Sequence, residues 1–184
     1  MNNGISKLLV SGILICGLSG VAHAAEQDST GAEKPRHAVG LSAGWVVANG
    51  LSYRRYIGAG FLQGTFVGMI DKEANEEYLD LSLSYGRYLN RFELLEGRHS
   101  VGVKMIAGVE AEHEKSATNF YFDRIETNHY INTGLGLGLD VGNPGRRGLL
   151  VSFNLIYTAS FKGFNAREFT RLRLLPTAGI HFNF

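Results

Sequence analysis

Cysteine is nearly absent from this chain: one residue, Cys16, in 184. It falls in a leader expected to be removed, so residues 25–184 offer no disulfide, no thiolate nucleophile and no cysteine ligand for a metal. An excess of one charge is lacking too. Setting aside Lys7, the one charged residue before position 25, leaves 17 basic residues against 17 acidic ones, and without a basic excess nothing points to nucleic acid as a partner. After the leader no apolar run approaches the ~20 residues that a helix needs to cross a bilayer. Proline is scarce, at 3 residues, whereas glycine reaches 24. That balance suits neither a helical bundle nor a disordered chain, but strands packed closely enough to need small side chains.

What is present begins with an export signal. "MNNGISKLLVSGILICGLSGVAHA" has a positive start at Lys7, an apolar run from Leu8 to Ile15, and a small-x-small cleavage site at Ala22-His23-Ala24. Residues 1–24 are therefore expected to be a signal peptide cut after Ala24. A lipoprotein site at Cys16 is rejected, because Ile15 before it is too bulky. Residues 25–36, "AEQDSTGAEKPR", are polar, have no period, and read as a flexible leader.

Residues 37–184 repeat a period of two. Eight runs stand out: 37–48, 51–57, 61–70, 78–88, 100–112, 129–141, 148–160 and 170–184, with Asn49-Gly50 as a tight-hairpin signal between the first two. In "YINTGLGLGLDVG", Ile131, Leu135, Leu137 and Leu139 oppose Asn132, Gly134, Gly136, Gly138 and Asp140. "GLLVSFNLIYT" sets Leu149, Val151, Phe153, Leu155 and Tyr157 against Ser152, Asn154 and Thr158, and "EYLDLSLSYG" sets Leu79, Leu81, Leu83 and Tyr85 against Asp80, Ser82 and Ser84. Adjacent Arg54 and Arg55 must point opposite ways, and the pattern does not say which faces in. A water-soluble barrel would have to cover its outside with glycine, serine and asparagine. Inverting the faces removes that difficulty: bulky residues meet lipid, and small and polar ones fill the interior. The expected fold is all-β, an eight-stranded antiparallel up-and-down transmembrane β-barrel over 37–184, with a polar lumen filled by side chains and no open pore.

Parity agrees. An even number of strands puts both ends on one side, so "DKEANEE", "HEKSATNFYFDRIETN" and "FKGFNARE" face the other; these are longer and more charged than "GAG" and "GNPGRRG". The inner connection "YLNRFELLEGRH" breaks the rule, and the sequence leaves open whether residues 89–99 form a helix.

The closing "GIHFNF", the "GLGLGLDVG" run and the eight-run layout behind a signal peptide resemble small outer-membrane β-barrels of the OmpA/OmpX type. The likeness is architectural and covers about residues 37–184. It implies a bacterial outer-membrane location, contact with outer-membrane lipid and lipopolysaccharide, and recognition of the last strand (Ile180, Phe182 and Phe184) by the barrel-assembly machinery.

Motifs that would carry chemistry are weak. "GLSAG" (40–44) matches the serine-hydrolase pattern, but Ser42 sits in an alternating run with no helix after it, whereas the elbow needs a strand-to-helix turn. "GLGLGLDVG" does not meet G-x-G-x-x-G; its glycines repeat down one face. "EAEHEK" puts Glu110, Glu112 and Glu114 on one side and His113 on the other, with Asp123, Glu126 and His129 across the same loop. Ligand spacing is missing, so a solvated loop is expected there and no metal. Some eight-stranded barrels modify lipid A. The deacylase type uses His-x-Ser, but here His99 and Ser100 are adjacent, point to opposite faces and lie at the periplasmic end. The palmitoyltransferase type needs an amphipathic helix before the barrel, which 25–36 does not supply, although His113 and Ser116 are present.

No catalytic residue, cofactor site or metal site is therefore assigned. By alternation Asp80, Lys104, Glu110, Asp140, Arg171, Arg173 and His181 point into the lumen, where so narrow an interior should pair them as structural ion networks. The sequence thus predicts a monomeric outer-membrane barrel with a structural or surface-interaction role through loops 71–77, 113–128 and 160–169. The alternatives are a lipid A-modifying enzyme and a soluble periplasmic lipocalin-like carrier.

Overall fold

A computed structural model describes residues 36–44, 46, 47, 49–71, 76–94, 99–118, 124–142, 147–163 and 168–184. The signal peptide and nearly all of the leader lie outside the described residues. Those described form eight strands: β1 (His37–Ala43), β2 (Gly50–Ile57), β3 (Gly60–Asp71), β4 (Glu76–Leu94), β5 (His99–Thr118), β6 (Arg124–Gly142), β7 (Gly148–Lys162) and β8 (Glu168–Asn183). Each pairs antiparallel with the next. A sheet so built would leave two edges with unpaired N–H and C=O groups. Here β1 also pairs β8, from Ala38 opposite Asn183 to Ala43 opposite Ala178, and the ring closes.

The two faces of the ring differ as the alternation requires. Leu135, Leu137, Phe153 and Ile180 are 54%, 57%, 53% and 54% exposed. Had they formed an enclosed core, the reading of the faces would have been inverted. Similar large apolar side chains stand exposed on every strand, from Leu41 and Leu51 to Phe66, Leu81 and Phe182. The buried positions hold Arg54, Gln63, Asp80, Lys104, Glu110, Asn132, Asp140, His181 and several serines, together with a few apolar groups such as Phe61, Ile106, Leu150 and Ile156. Inward glycines leave room for these. A Cβ on Gly86 would strike the Phe61 ring, and one on Gly138 would come within 2.9 Å of the Lys104 stem.

Several boundaries differ from those expected. β4 continues past Tyr88 to Leu94, with a bulge that skips Leu89 between Tyr88 and Asn90, so residues 89–94 are strand and 95–98 lie outside the described residues. β5 and β6 extend beyond Glu112 and His129 to Thr118 opposite Arg124, which turns most of the expected loop 113–128 into a protruding hairpin. Outside the apolar zone neither face needs large apolar residues, so the period fades although the backbone ladder continues. Arg54 faces in and Arg55 out.

The largest correction concerns the first hairpin. β1 does not run to position 48; it stops at Ala43, and Asn49-Gly50 is not a two-residue turn. Gly44 takes φ 129° and Val46 φ 71°, and Val46 and Val47 are buried within the ring at 1% and 2% exposure. Trp45 and Ala48 lie outside the described residues.

Candidate functional site

Three constellations result: a charge network across the ring, a loop seated in its mouth, and a histidine pair on its rim. The first centres on Asp140 of β6. Its Oδ2 accepts hydrogen bonds from Arg54 Nη1 at 3.2 Å and from the Tyr88 hydroxyl at 2.5 Å. Its Oδ1 accepts from Ser152 Oγ at 2.6 Å and is ion-paired with Lys104 Nζ. Arg54 spans from β2 to this carboxylate and also donates from Nε and Nη2 to Gln63 Oε1, at 3.0 and 2.8 Å. The Phe61 ring lies 4.0 Å from the guanidinium carbon and 5.3 Å from Lys104 Nζ, adding an aromatic face to two cations held out of water. Gln63 Nε2 passes the chain on to Ser42 Oγ at 3.0 Å and Thr65 Oγ1 at 3.2 Å. Arg54, Lys104 and Asp140 are 1%, 0% and 0% exposed in their side chains. Burying one negative and two positive groups together is tolerable only because each is paired and hydrogen-bonded.

Nearer the other mouth the interior is organised by backbone. The Val46 N–H donates to Glu110 Oε2 at 3.0 Å, and the Asn49 N–H to Asp80 Oδ2 at 3.0 Å. Asn132 Nδ2 donates to the same Glu110 oxygen at 2.7 Å, and the Tyr78 hydroxyl reaches Asp80 Oδ2 at 3.3 Å. Asn49 Oδ1 accepts from the Gly44 N–H at 3.0 Å, which ties the two ends of the loop together. Val46 and Val47 pack with Ile106 and Ile156. The seat exists because the facing residues are glycines: a Cβ on Gly108 would lie 3.0 Å from Val46 Cγ1, and one on Gly134 2.8 Å from Val46 Cγ2. Val46 therefore holds a left-handed backbone, unfavourable for a β-branched residue, offset by packing on Ile106 and Ile156 and by the hydrogen bond to Glu110.

On the rim, beyond the exposed apolar residues, His113 of β5 lies opposite His129 of β6. Their Nδ1 atoms are 3.1 Å apart and their rings stack at 4.7 Å. Glu77 Oε2 stands 3.9 Å from His113 Nε2, while Glu77 Oε1 pairs with Lys115 Nζ at 2.8 Å. The hydrogen bond and charge of Lys115 hold the Glu77 carboxyl below its usual range.

Of the charges expected inside, Lys104 and Asp140 are brought together, and His181 is buried with Nε2 2.9 Å from Ser52 Oγ, outside any ion pair shown. Asp80 and Glu110 are buried in the other half, where backbone N–H groups meet them. Arg171 and Arg173 occupy inward register positions opposite Ser160 and Thr158, yet both are exposed, because β1 ends at Ala43 opposite Ala178 and leaves β8 without a paired strand on that side. Ile180, Phe182 and Phe184 are exposed on the outer face. Sequence reasoning left the direction of Arg54 open and missed Tyr88 and Gln63. The phase of Leu51 and Tyr53 was the available signal, since it turns Ser52 and Arg54 inward together.

Ser42 of "GLSAG" lies within β1 with its hydroxyl spent on Gln63. His99 is exposed while Ser100 is buried, donating to the Gly142 carbonyl at 2.5 Å, so the two do not meet. Among the described residues no group of three or more His, Cys, Asp or Glu side chains is placed to hold a metal.

No family model matches the chain, and no curated protein matches it by sequence. Among solved structures it is similar to the N-terminal β-barrel domain of Pseudomonas aeruginosa OprF, over 84% of this chain and 100% of that one, with 12% identity and a TM-score of 0.49. It is also similar to Ail, the attachment invasion locus protein of Yersinia pestis, over 80% and 90%, with 15% identity and a TM-score of 0.26. Likenesses at this level carry no argument about function, which rests instead on this chain's own two faces.

Proposed function

We propose that this chain is an integral outer-membrane barrel whose interior is closed by its own side chains and by the loop 44–49, and whose work is structural or surface-interactive through the loops at that end. One observation carries the reading: large apolar side chains are exposed around the whole ring, with Leu41, Leu51, Phe66, Leu81, Leu137, Phe153 and Ile180 all between 50% and 70% exposed. Soluble monomers rarely expose contiguous apolar patches beyond a few hundred Å². Burying one such side chain fully is worth roughly 1.5–3 kcal/mol, and a belt of them in water would invite aggregation. A ring closed by β1 against β8 is also one of the two backbone arrangements that hydrocarbon permits.

The signal-like leader supports export. The polar residues on the inner face support an interior without bulk solvent, because Asp140 binds partners from opposite walls at once. The immediate partners are then outer-membrane lipid and lipopolysaccharide, with insertion through the barrel-assembly machinery by way of Ile180, Phe182 and Phe184, and the barrel acts as a monomer.

Mobility of unboiled against boiled samples from the membrane fraction tests this. A heat-modifiable band in that fraction is expected, with no single-channel current in planar bilayers. Recovery in the aqueous fraction would favour a soluble carrier and sink the proposal. A change in lipid A mass on expression would replace it with an enzymatic reading.

A further inference from the structure

Two imidazoles brought nitrogen to nitrogen are a chelating pair in waiting. His113 and His129 face each other as direct cross-strand partners, so the rigid ladder of β5 and β6 sets their separation, not a flexible loop. An ion such as zinc bound by two imidazoles at about 2.0–2.1 Å holds the nitrogens about 2.9 Å apart at a right angle and about 3.4 Å apart at the tetrahedral angle. The observed Nδ1 to Nδ1 distance of 3.1 Å falls between these values. Glu77 sits on the far side of His113, 3.9 Å from Nε2. Its negative charge favours the tautomer with hydrogen on Nε2, which leaves the Nδ1 lone pair directed at His129. A carboxylate behind a histidine is the usual orienting arrangement for an imidazole ligand.

We propose that His113 and His129 form a surface site for a late first-row divalent ion, copper, nickel or zinc, through their Nδ1 atoms, with solvent completing the coordination. Imidazole selects these ions over calcium or magnesium. In the metal-free pair one Nδ1–H donates to the other Nδ1. Binding requires that ring in its other tautomer, with the hydrogen on Nε2, so that both Nδ1 lone pairs serve an ion lying to one side of the nitrogen–nitrogen line. Glu77 acts as a positioning residue and not as a ligand, since it approaches the opposite nitrogen and already holds Lys115. The His113 side chain is 28% exposed, so an ion reaches it from solution without opening the barrel. The site stands whatever the biological role of the barrel proves to be.

The test uses the full chain folded in detergent, with folding checked by heat-modifiable mobility, titrated separately with Cu2+, Ni2+, Zn2+ and Ca2+. One transition ion per chain is expected, with Cu2+ resonance showing two equivalent nitrogens, and no response to Ca2+. His113→Ala and His129→Ala should each weaken binding by about tenfold or more. The double variant should be little worse than either, because one imidazole alone does not chelate. His99→Ala, at the opposite end, should leave binding unchanged, and Glu77→Gln should weaken it less than either histidine variant. If the folded His113→Ala and His129→Ala proteins bind as the parent does, or if copper reports a single nitrogen, the site does not exist.

Discussion

The two halves of the interior bury charge in opposite ways. Around Asp140, side chains from β2, β4, β5, β6 and β7 converge, and every charge is answered by another charge or a hydroxyl. Around Asp80 and Glu110 two acids stand without a cation among the described residues, and the hydrogen bonds come from the backbone of a loop, a tyrosine and an asparagine. Unmet polar atoms occur in both halves, Asn154 Oδ1 and His181 Nδ1 in the first and Ser82 Oγ, Ser84 Oγ and Asn132 Oδ1 in the second, but the central acids differ: both oxygens of Asp140 are engaged, whereas Asp80 Oδ1 makes no hydrogen bond. The first half is a cross-brace between walls. The second is a seat for a segment that has left the sheet. A buried network is most specifying when complete and most yielding when partly satisfied, so the loop end should be where the barrel breathes.

Removing the two acids should separate the halves most clearly. Asp140→Ala leaves Arg54 and Lys104 buried without a counter-charge, a loss of about 3–5 kcal/mol, read as a lowered urea midpoint for the detergent-folded barrel. Asp80→Ala removes the acceptor of one backbone N–H and one hydroxyl, and should cost about 1–3 kcal/mol. Equal losses would erase the distinction. The next effect in size comes from filling the seat. Gly108→Val meets Val46 and the Ser84 Cβ, which a Cβ there would approach to 2.9 Å. Overpacking of this kind costs about 1–3 kcal/mol. The relief available is expulsion of residues 44–49, so faster proteolysis within that loop and the first measurable bilayer current are expected together.

Glu110→Gln is a finer probe. It keeps the shape and an oxygen for the Val46 N–H, but exchanges a carboxyl acceptor for an amide one, a difference of about 1 kcal/mol. Hydrogen exchange at Val46 should accelerate while the global unfolding midpoint hardly moves. A shift of the midpoint as large as that of Asp140→Ala would mean that the loop is part of the main brace.

The contrast between the halves also explains what the sequence could reveal. Within the apolar zone each outward position is selected for bulk and each inward one for fit, so Leu135, Leu137 and Leu139 against Gly136, Gly138 and Asp140 spell out strand, face and register. Lys104 and Asp140 could be assigned inward on phase alone. Their union with Arg54 could not, because partners across a ring depend on shear between strands distant in sequence. The loop 44–49 was misread for a different reason. Val47 continues the even spacing of Val39 and Leu41, so the alternation runs on through a segment whose backbone has turned inward at Gly44. Nothing local announces that turn. Its cause lies in Gly108 and Gly134, on strands distant in sequence, which leave the space that Val46 fills. Likewise the tips of β5 and β6 carry Glu114, Lys115, Asn128 and Thr127, polar on both faces, and read as loop while pairing as strand.

The smallest effect belongs to the rim, where charge is neither braced nor seated but hydrated. Glu77 and Lys115 pair at 2.8 Å with side chains 43% and 23% exposed, and exposed pairs of this kind contribute little. Glu77→Gln should leave the melting temperature at neutral pH unchanged within error. The carboxyl is nevertheless held low by Lys115, so what stabilisation exists is present above the unfolded-state value and disappears as pH falls through the lowered folded one. Carboxyl carbon shifts of Glu77 across that acidic range would detect this where melting does not. Lys115→Met should move the titration to higher pH. A Glu77 titration that ignores the loss of Lys115 would mean that the pair does not persist in solution, and the order brace, seat, rim would then rest on the interior alone.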